Sequence, residues 1–159
     1  MTRHAGEAST PAVLDAVSKQ IIEQLQEDGR RSYAAIAKAV GLSEAAVRQR
    51  VARLTESGVM QIVAVTDPMT LGFARQALVG LKVEGDLSMV AEKLAAVPEI
   101  DYVVITAGSF DIVVECVAED DAHLLRLLND AIRAVPGVRT TETLVYLKLA
   151  KQTYTWGTR

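Results

Sequence analysis

The order in which the hydrophobic period changes after residue 76 narrows the fold more than any other feature of the chain. ALVGLKV (77–83) reads as a strand and LSMVAEKLAAV (87–97) as a helix closed by Pro98, followed by a second strand, IDYVVITA (100–107). A turn at Gly108-Ser109 leads to FDIVVECV (110–117), a third strand. The helix AHLLRLLNDAIRAV (122–135), the breaker Pro136-Gly137 and a last strand, RTTETLVYLKL (139–149), complete the run. The order β-α-β-β-α-β predicts a split βαβ, ferredoxin-like domain, an antiparallel sheet with both helices on one face. VVI and IVV put apolar residues on both faces of their strands. The uncovered face therefore calls for a partner subunit.

The first half keeps to the helical period. Val17, Ile21, Ile22 and Leu25 form one stripe, which Asp28-Gly29 ends. Ser32 caps a second helix with Ile36, Ala37 and Val40 on its apolar face, and Gly41 supplies the left-handed residue at its end. Ser43 caps a third, striped by Val47, Val51 and Leu54 and stopped at Ser57-Gly58, after which VMQIVAV reads as a strand. The expected class is α+β: a helix-turn-helix, winged-helix-like domain joined to the ferredoxin-like one. The expected layout is a flexible leader over 1–14, the helical domain over 15–66, a linker over 67–75 around Pro68 and Gly72, the ferredoxin-like domain over 76–150, and a tail over 151–159.

Charge bears on the partner through its distribution. The net charge is −3, yet six of the eight Lys/Arg in residues 1–67 fall between Arg30 and Arg53. That is a local basic patch on an acidic protein, suited to specific DNA contacts and poorly suited to broad electrostatic binding. With Val47 at zero on the helical wheel, Val51 and Leu54 lie within about 40° of it, while Ala45, Gln49, Ala52 and Arg53 point away. Small residues such as Ala45 and Ala46 let a helix approach base edges, and Gln49 and Arg48 carry side chains able to pair with bases. Arg53 is placed for phosphate. Arg50 lies nearest the apolar stripe and has two readings, a DNA contact or an internal pair with Glu23 or Asp15. The bland alternative for the whole face is a solvated helix, since arginine is a good helix former.

These residues carry a resemblance. DGRRSYAAIAKAVGLSEAAVRQRVARLTESGVMQ resembles the DNA-binding module of the Lrp/AsnC (leucine-responsive, feast/famine) regulators. The second half extends the likeness through a G-x-x-D turn, Gly108 to Asp111, and a closing PGV-x-x-T-x-T strand containing Thr141 and Thr143. The resemblance covers about residues 15–150 and implies a transcription factor that binds double-stranded DNA, pairs through its C-terminal sheets and assembles as far as octamers. It implies DNA contacts from Ser32, Tyr33, Ser43, Ala45, Ala46, Arg48, Gln49, Arg50 and Arg53. It also implies an amino-acid effector held between subunits near Ala107, Gly108, Ser109, Asp111, Thr141 and Thr143. The local chemistry suits that ligand: Asp111 can accept from an ammonium group, amides at 107–109 can hold a carboxylate, and the threonines add hydroxyls. The plain alternative makes Asp111 a turn residue and the threonines ordinary strand residues.

Other chemistry is not signalled. His4 and His123 lack partners at a catalytic or ligand spacing, and Glu119-Asp120-Asp121 reads as a helix N-terminus. The lone Cys116 sits in an apolar run and reads as a buried hydrophobe. No enzyme, metal or cofactor is expected. No run of eighteen or more apolar residues occurs, and MTRHAGEASTPAV lacks a secretory pattern, so a cytoplasmic protein without a membrane partner is expected. Tyr154 and Trp156 in the tail read as packing anchors. The competing functional readings are a nucleoid-type architectural protein without a ligand and a stand-alone metabolite-binding module.

Overall fold

A computed structural model of the chain describes residues 14–158. The leader expected over 1–14 lies outside the described residues except for Leu14, and so do Arg3, His4 and Arg159. The chain divides into two units, Met1–Ala64 with Gln152–Arg159, and Val65–Lys151.

The first unit is built on three helices, α1 (Ala16–Glu27), α2 (Tyr33–Val40) and α3 (Glu44–Glu56). Each begins where a short polar side chain satisfies an orphan amide of the first turn. Asp15 accepts from the Ser18 N–H at 2.7 Å, Ser32 from Ala35 at 3.2 Å and Ser43 from Ala46 at 3.2 Å. Gly41 closes α2 at φ 71°, the left-handed conformation that turns the chain into α3. Ile21, Leu25, Ile36, Ala37, Val47 and Val51 form the buried centre, with Met60 packed against it.

The strand expected at VMQIVAV does not form. Residues 60–66 belong to no ladder, and Ile62 and Val63 are 47% and 67% exposed. A β-strand is defined by its neighbour, and no strand among the described residues pairs with this segment, so β-propensity has nothing to act on. The helix-turn-helix consequently carries no wing strand among the described residues. The tail belongs to this unit. The Gly157 N–H donates to Gln26 Oε1 at 3.2 Å and Thr158 Oγ1 donates to the Glu23 carboxylate, both on α1. Trp156 is 86% exposed, so its own chain does not bury the ring.

The second unit holds β1 (Arg75–Val83), α4 (Leu87–Ala95), β2 (Ile100–Ile105), β3 (Ile112–Ala118), α5 (Asp121–Arg126) and β4 (Val138–Val145). The sheet is antiparallel in the order β2-β3-β1-β4. Its register stacks Leu81 between Ile112 and Thr141, and Val79 between Val114 and Thr143. Ala77, Val79, Leu81, Ile112, Val114 and Cys116 are buried with Val90, Leu94, Leu124, Leu127 and Ile132 of the helical layer. Each large aliphatic side chain buried there contributes about 1.5–3 kcal/mol. The expected single helix over 122–135 instead passes from α5 into a π-helical stretch, Leu127–Ile132, which re-phases the buried positions. β4 ends at Val145, short of the expected 149.

Candidate nucleic-acid interface and effector site

On α3 the apolar stripe is buried as its spacing predicts, so the opposite face is defined. Ala45, Arg48, Gln49 and Arg53 are exposed, whereas Ala46 and Arg50 are half-buried. The expected clearance at the helix start is therefore narrower than two alanines. Ser32 and Ser43 spend their hydroxyls on the caps of α2 and α3, while remaining exposed beside them.

The three arginines of α3 have different surroundings. Arg50 Nη1 lies 2.6 Å from Asp15 Oδ2 and 3.1 Å from Ser18 Oγ, with its side chain only 25% exposed. It ties α3 to the cap of α1, which settles the internal pair on Asp15 in place of Glu23. The Ser18 amide and hydroxyl, and then Arg50, hold the Asp15 carboxyl down to about 2. Arg48 is 65% exposed, stacks over the Tyr33 ring at 5.3 Å from its centroid, and lies 2.8 Å from Glu44. An exposed i, i+4 pair is worth only about 0.2–0.5 kcal/mol, so it can be exchanged for a ligand contact at small cost. Glu44 was absent from the predicted site, although its E-x-x-x-R spacing to Arg48 is legible. Three of the six cations between Arg30 and Arg53 are held by carboxylates, Arg31 by Glu27, Arg48 by Glu44 and Arg50 by Asp15.

In the second unit the predicted effector residues fall into two groups, Asp111 with the turn 107–109 beside β3 and Thr141 with Thr143 on β4, with β1 between them. Asp111 follows the exposed turn Ala107, Gly108 and Ser109, and its carboxylate accepts from the Val83 N–H at 2.9 Å, with Lys82 Nζ at 3.4 Å. The Val83 amide and then Lys82 lower its pKa against the opposing effect of desolvation. Asp111 thus serves the bulge between Lys82 and Val83, the turn-residue role, while its Lys82 contact is long and open. Thr106 locks the turn: its N–H donates to the Asp111 carbonyl at 2.9 Å and its hydroxyl to the Phe110 carbonyl at 2.6 Å.

The threonines sit across β1 from this turn, on the helix-covered side with Val79 and Leu81. Thr141 accepts from Arg133 Nε at 2.9 Å. Thr143 Oγ1 is buried with no hydrogen-bond partner among the described residues. Arg133, Val138, Arg139, Thr140 and Thr141 line a shallow pocket of about 220 Å³. Ligand clefts run to roughly 300–1,000 Å³, so this hollow is smaller than such a cleft. Sequence reasoning missed Lys82 and Arg133, whose placement depends on the β-bulge and on the π-helical stretch.

Comparison with known proteins decides what this arrangement belongs to. Residues 14–55 match the AsnC-type helix-turn-helix domain, and residues 73–159 match an AsnC regulator domain described as a C-terminal dimeric alpha+beta barrel domain. The chain belongs to the Lrp/AsnC family. The HTH-type transcriptional regulator FL11 of Pyrococcus horikoshii is 39% identical over 142 residues, 88% of this chain and 93% of that protein. The leucine response regulatory protein of Mycobacterium tuberculosis superposes with a TM-score of 0.79 at 28% identity, covering 87% of this chain and 96% of that one. A regulator from Neisseria meningitidis, solved as an L-Met complex, shares the fold with a TM-score of 0.76 at 22% identity over 89% and 95% of the two chains. This Lrp/AsnC protein is therefore a helix-turn-helix transcriptional regulator, and its family is not one of enzymes. Among the described residues no helix is long and apolar enough to cross a membrane.

Proposed function

We propose that this regulator binds a specific operator through α3 and that an amino acid bound at the β2–β3 end of the C-terminal sheet modulates that binding. The carrying observation is the outward face of α3, where Arg48 and Gln49 project beside the small, exposed Ala45 while the buried stripe fixes the helix on its unit. Arg48 or Gln49 can pair with base edges in a major groove, and Arg53 with phosphate. Ser32, Tyr33 and Ser43 flank the same surface, whereas Arg50 acts through the packing of α3 on Asp15.

An amino-acid effector is supported by two features. Asp111 and the turn 107–109 offer an acceptor and open amides, and Thr143 carries an unpartnered hydroxyl two residues along β4 from Thr141, which lines the pocket. The N. meningitidis relative solved with L-Met supports the ligand class. The small pocket and the family's dimeric domain support a site completed by a second copy, in a dimer that assembles further in the cytoplasm.

The test is footprinting on the DNA upstream of the protein's own reading frame, with and without a panel of amino acids. A protected site whose affinity changes with one amino acid is expected. Arg48→Ala and Gln49→Ala should weaken operator binding without altering assembly, and Asp111→Ala should remove the amino-acid response. Equal affinity for operator and random DNA would instead favour an architectural protein without a ligand.

A further inference from the structure

We propose that Tyr33 and Glu44 form a holder that orients Arg48 for one base and penalises phosphate-only docking, so that both are specificity-determining residues of the DNA interface. The inference rests on the reading of α3 as the recognition helix. The guanidinium of Arg48 lies over the Tyr33 ring, at 5.3 Å from the centroid, and donates from Nη2 to Glu44 Oε1 at 2.8 Å. A guanidinium lying over a ring and bonded at one nitrogen is biased toward one orientation, even though each contact alone is weak. It still has N–H donors to spare, which can pair with the O6 and N7 of a guanine. The stack is formed between the first residue of α2 and the second turn of α3, so the turn at Gly41 sets the angle of the arginine.

Glu44 adds discrimination. It is half exposed, at 51%, in the first turn of α3, beside Arg48 on the face that the proposed function assigns to DNA. Beside phosphates a carboxylate is repelled, and it also partly cancels the charge by which Arg48 would bind any backbone. In the major groove the same carboxylate can accept from a cytosine amine. Random DNA thus meets a weakened cation, while the matching sequence meets a positioned one. A net charge of −3 for the chain fits the same design.

The experiment uses the full chain. The parent enriches an operator from a randomised duplex pool, and affinities for that operator and for a random duplex are then measured at one ionic strength. Glu44→Gln should raise random-duplex affinity about threefold and lower the operator-to-random ratio about tenfold, the discrimination carried by one base contact. Tyr33→Leu should lower the ratio about tenfold through loss of operator binding, and Tyr33→Phe, which keeps the ring, should lower it less than Tyr33→Leu does. Repeating the selection with Glu44→Gln should give an operator with relaxed preference at one base pair. A Glu44→Gln variant with an unchanged ratio and an unchanged enriched sequence overturns the proposal alone. A parent that enriches no sequence overturns the operator reading and the proposal with it.

Discussion

Adding one methyl group at Gly80 tests how the sheet holds the turn that carries Asp111. Gly80 lies in the middle of β1, opposite Val113 of β3, and Phe110 lays its ring over it. A Cβ built at residue 80 would stand 2.6 Å from Phe110 Cγ and Cδ2 and 2.7 Å from Cδ1. Carbon atoms pack at about 3.5–4.0 Å, so the ring must retreat by about 1 Å. It cannot do so freely, because Thr106 holds the Phe110 and Asp111 carbonyls and the Asp111 N–H donates to the Leu81 carbonyl at 2.9 Å. Overpacking of this kind costs about 1–3 kcal/mol, offset by about 0.5–1 kcal/mol from removing a flexible glycine. The midpoints of the two ranges leave a net loss of about 1 kcal/mol, which lowers the Tm of a unit this size by about 4–8 °C. Gly80→Ala should show that fall in scanning calorimetry at matched protein concentration. In Gly80→Ala/Phe110→Ala the two losses should be non-additive, with part of the glycine effect disappearing. A Gly80→Ala protein as stable as the parent would refute the ring-on-glycine packing and the restraint it places on Asp111.

Three further outcomes follow from the same geometry. Asp15 has a folded pKa of about 2, below its unfolded value of 3.8, so its contribution is present above pH 4 and is lost as pH falls toward 2; the difference in urea midpoint between parent and Asp15→Asn should therefore shrink across that window. Arg50→Ala should lower thermal stability while leaving the operator-to-random ratio of the folded protein unchanged, the reverse of Arg48→Ala, and a lost ratio would return Arg50 to the interface. Cys116 is fully buried and its thiol is pushed up to about 11 by burial, with Asp101 and Glu115 adding to the rise; it should resist an aromatic disulfide reagent in buffer and react fully in denaturant, and rapid labelling of the native chain would contradict the core register.

The elements that could be read from the sequence are those whose determinants are local. Ser32, Gly41 and Ser43 act within three residues of themselves, and the stripe of Val47, Val51 and Leu54 needs only the helical period to fix the outward face. The pairing of Arg50 with helix one was legible as one of two options, because its wheel position pointed it inward. What escaped depends on distant partners. VMQIVAV has strand composition and no neighbour to pair with, and the single helix predicted over 122–135 conceals a change of hydrogen-bond register. Only the register shows that the threonines share the helix-covered side with Leu81 while Asp111 is engaged at the bulge.

The return of the tail to α1 gives this protein an unusual order of synthesis. The helices of the DNA-binding unit leave the ribosome before the second unit, yet Gly157 and Thr158, which bond to Gln26 and Glu23, leave it after that unit. Between residues 64 and 152 the ribosome adds the whole sensing unit, which at about 5–20 residues per second takes roughly 4–18 s. During that interval the nascent chain carries a reading head still lacking its final two bonds. The unit that meets DNA is begun before the second unit and finished after it, so a message truncated anywhere in the second unit also leaves the first one incomplete.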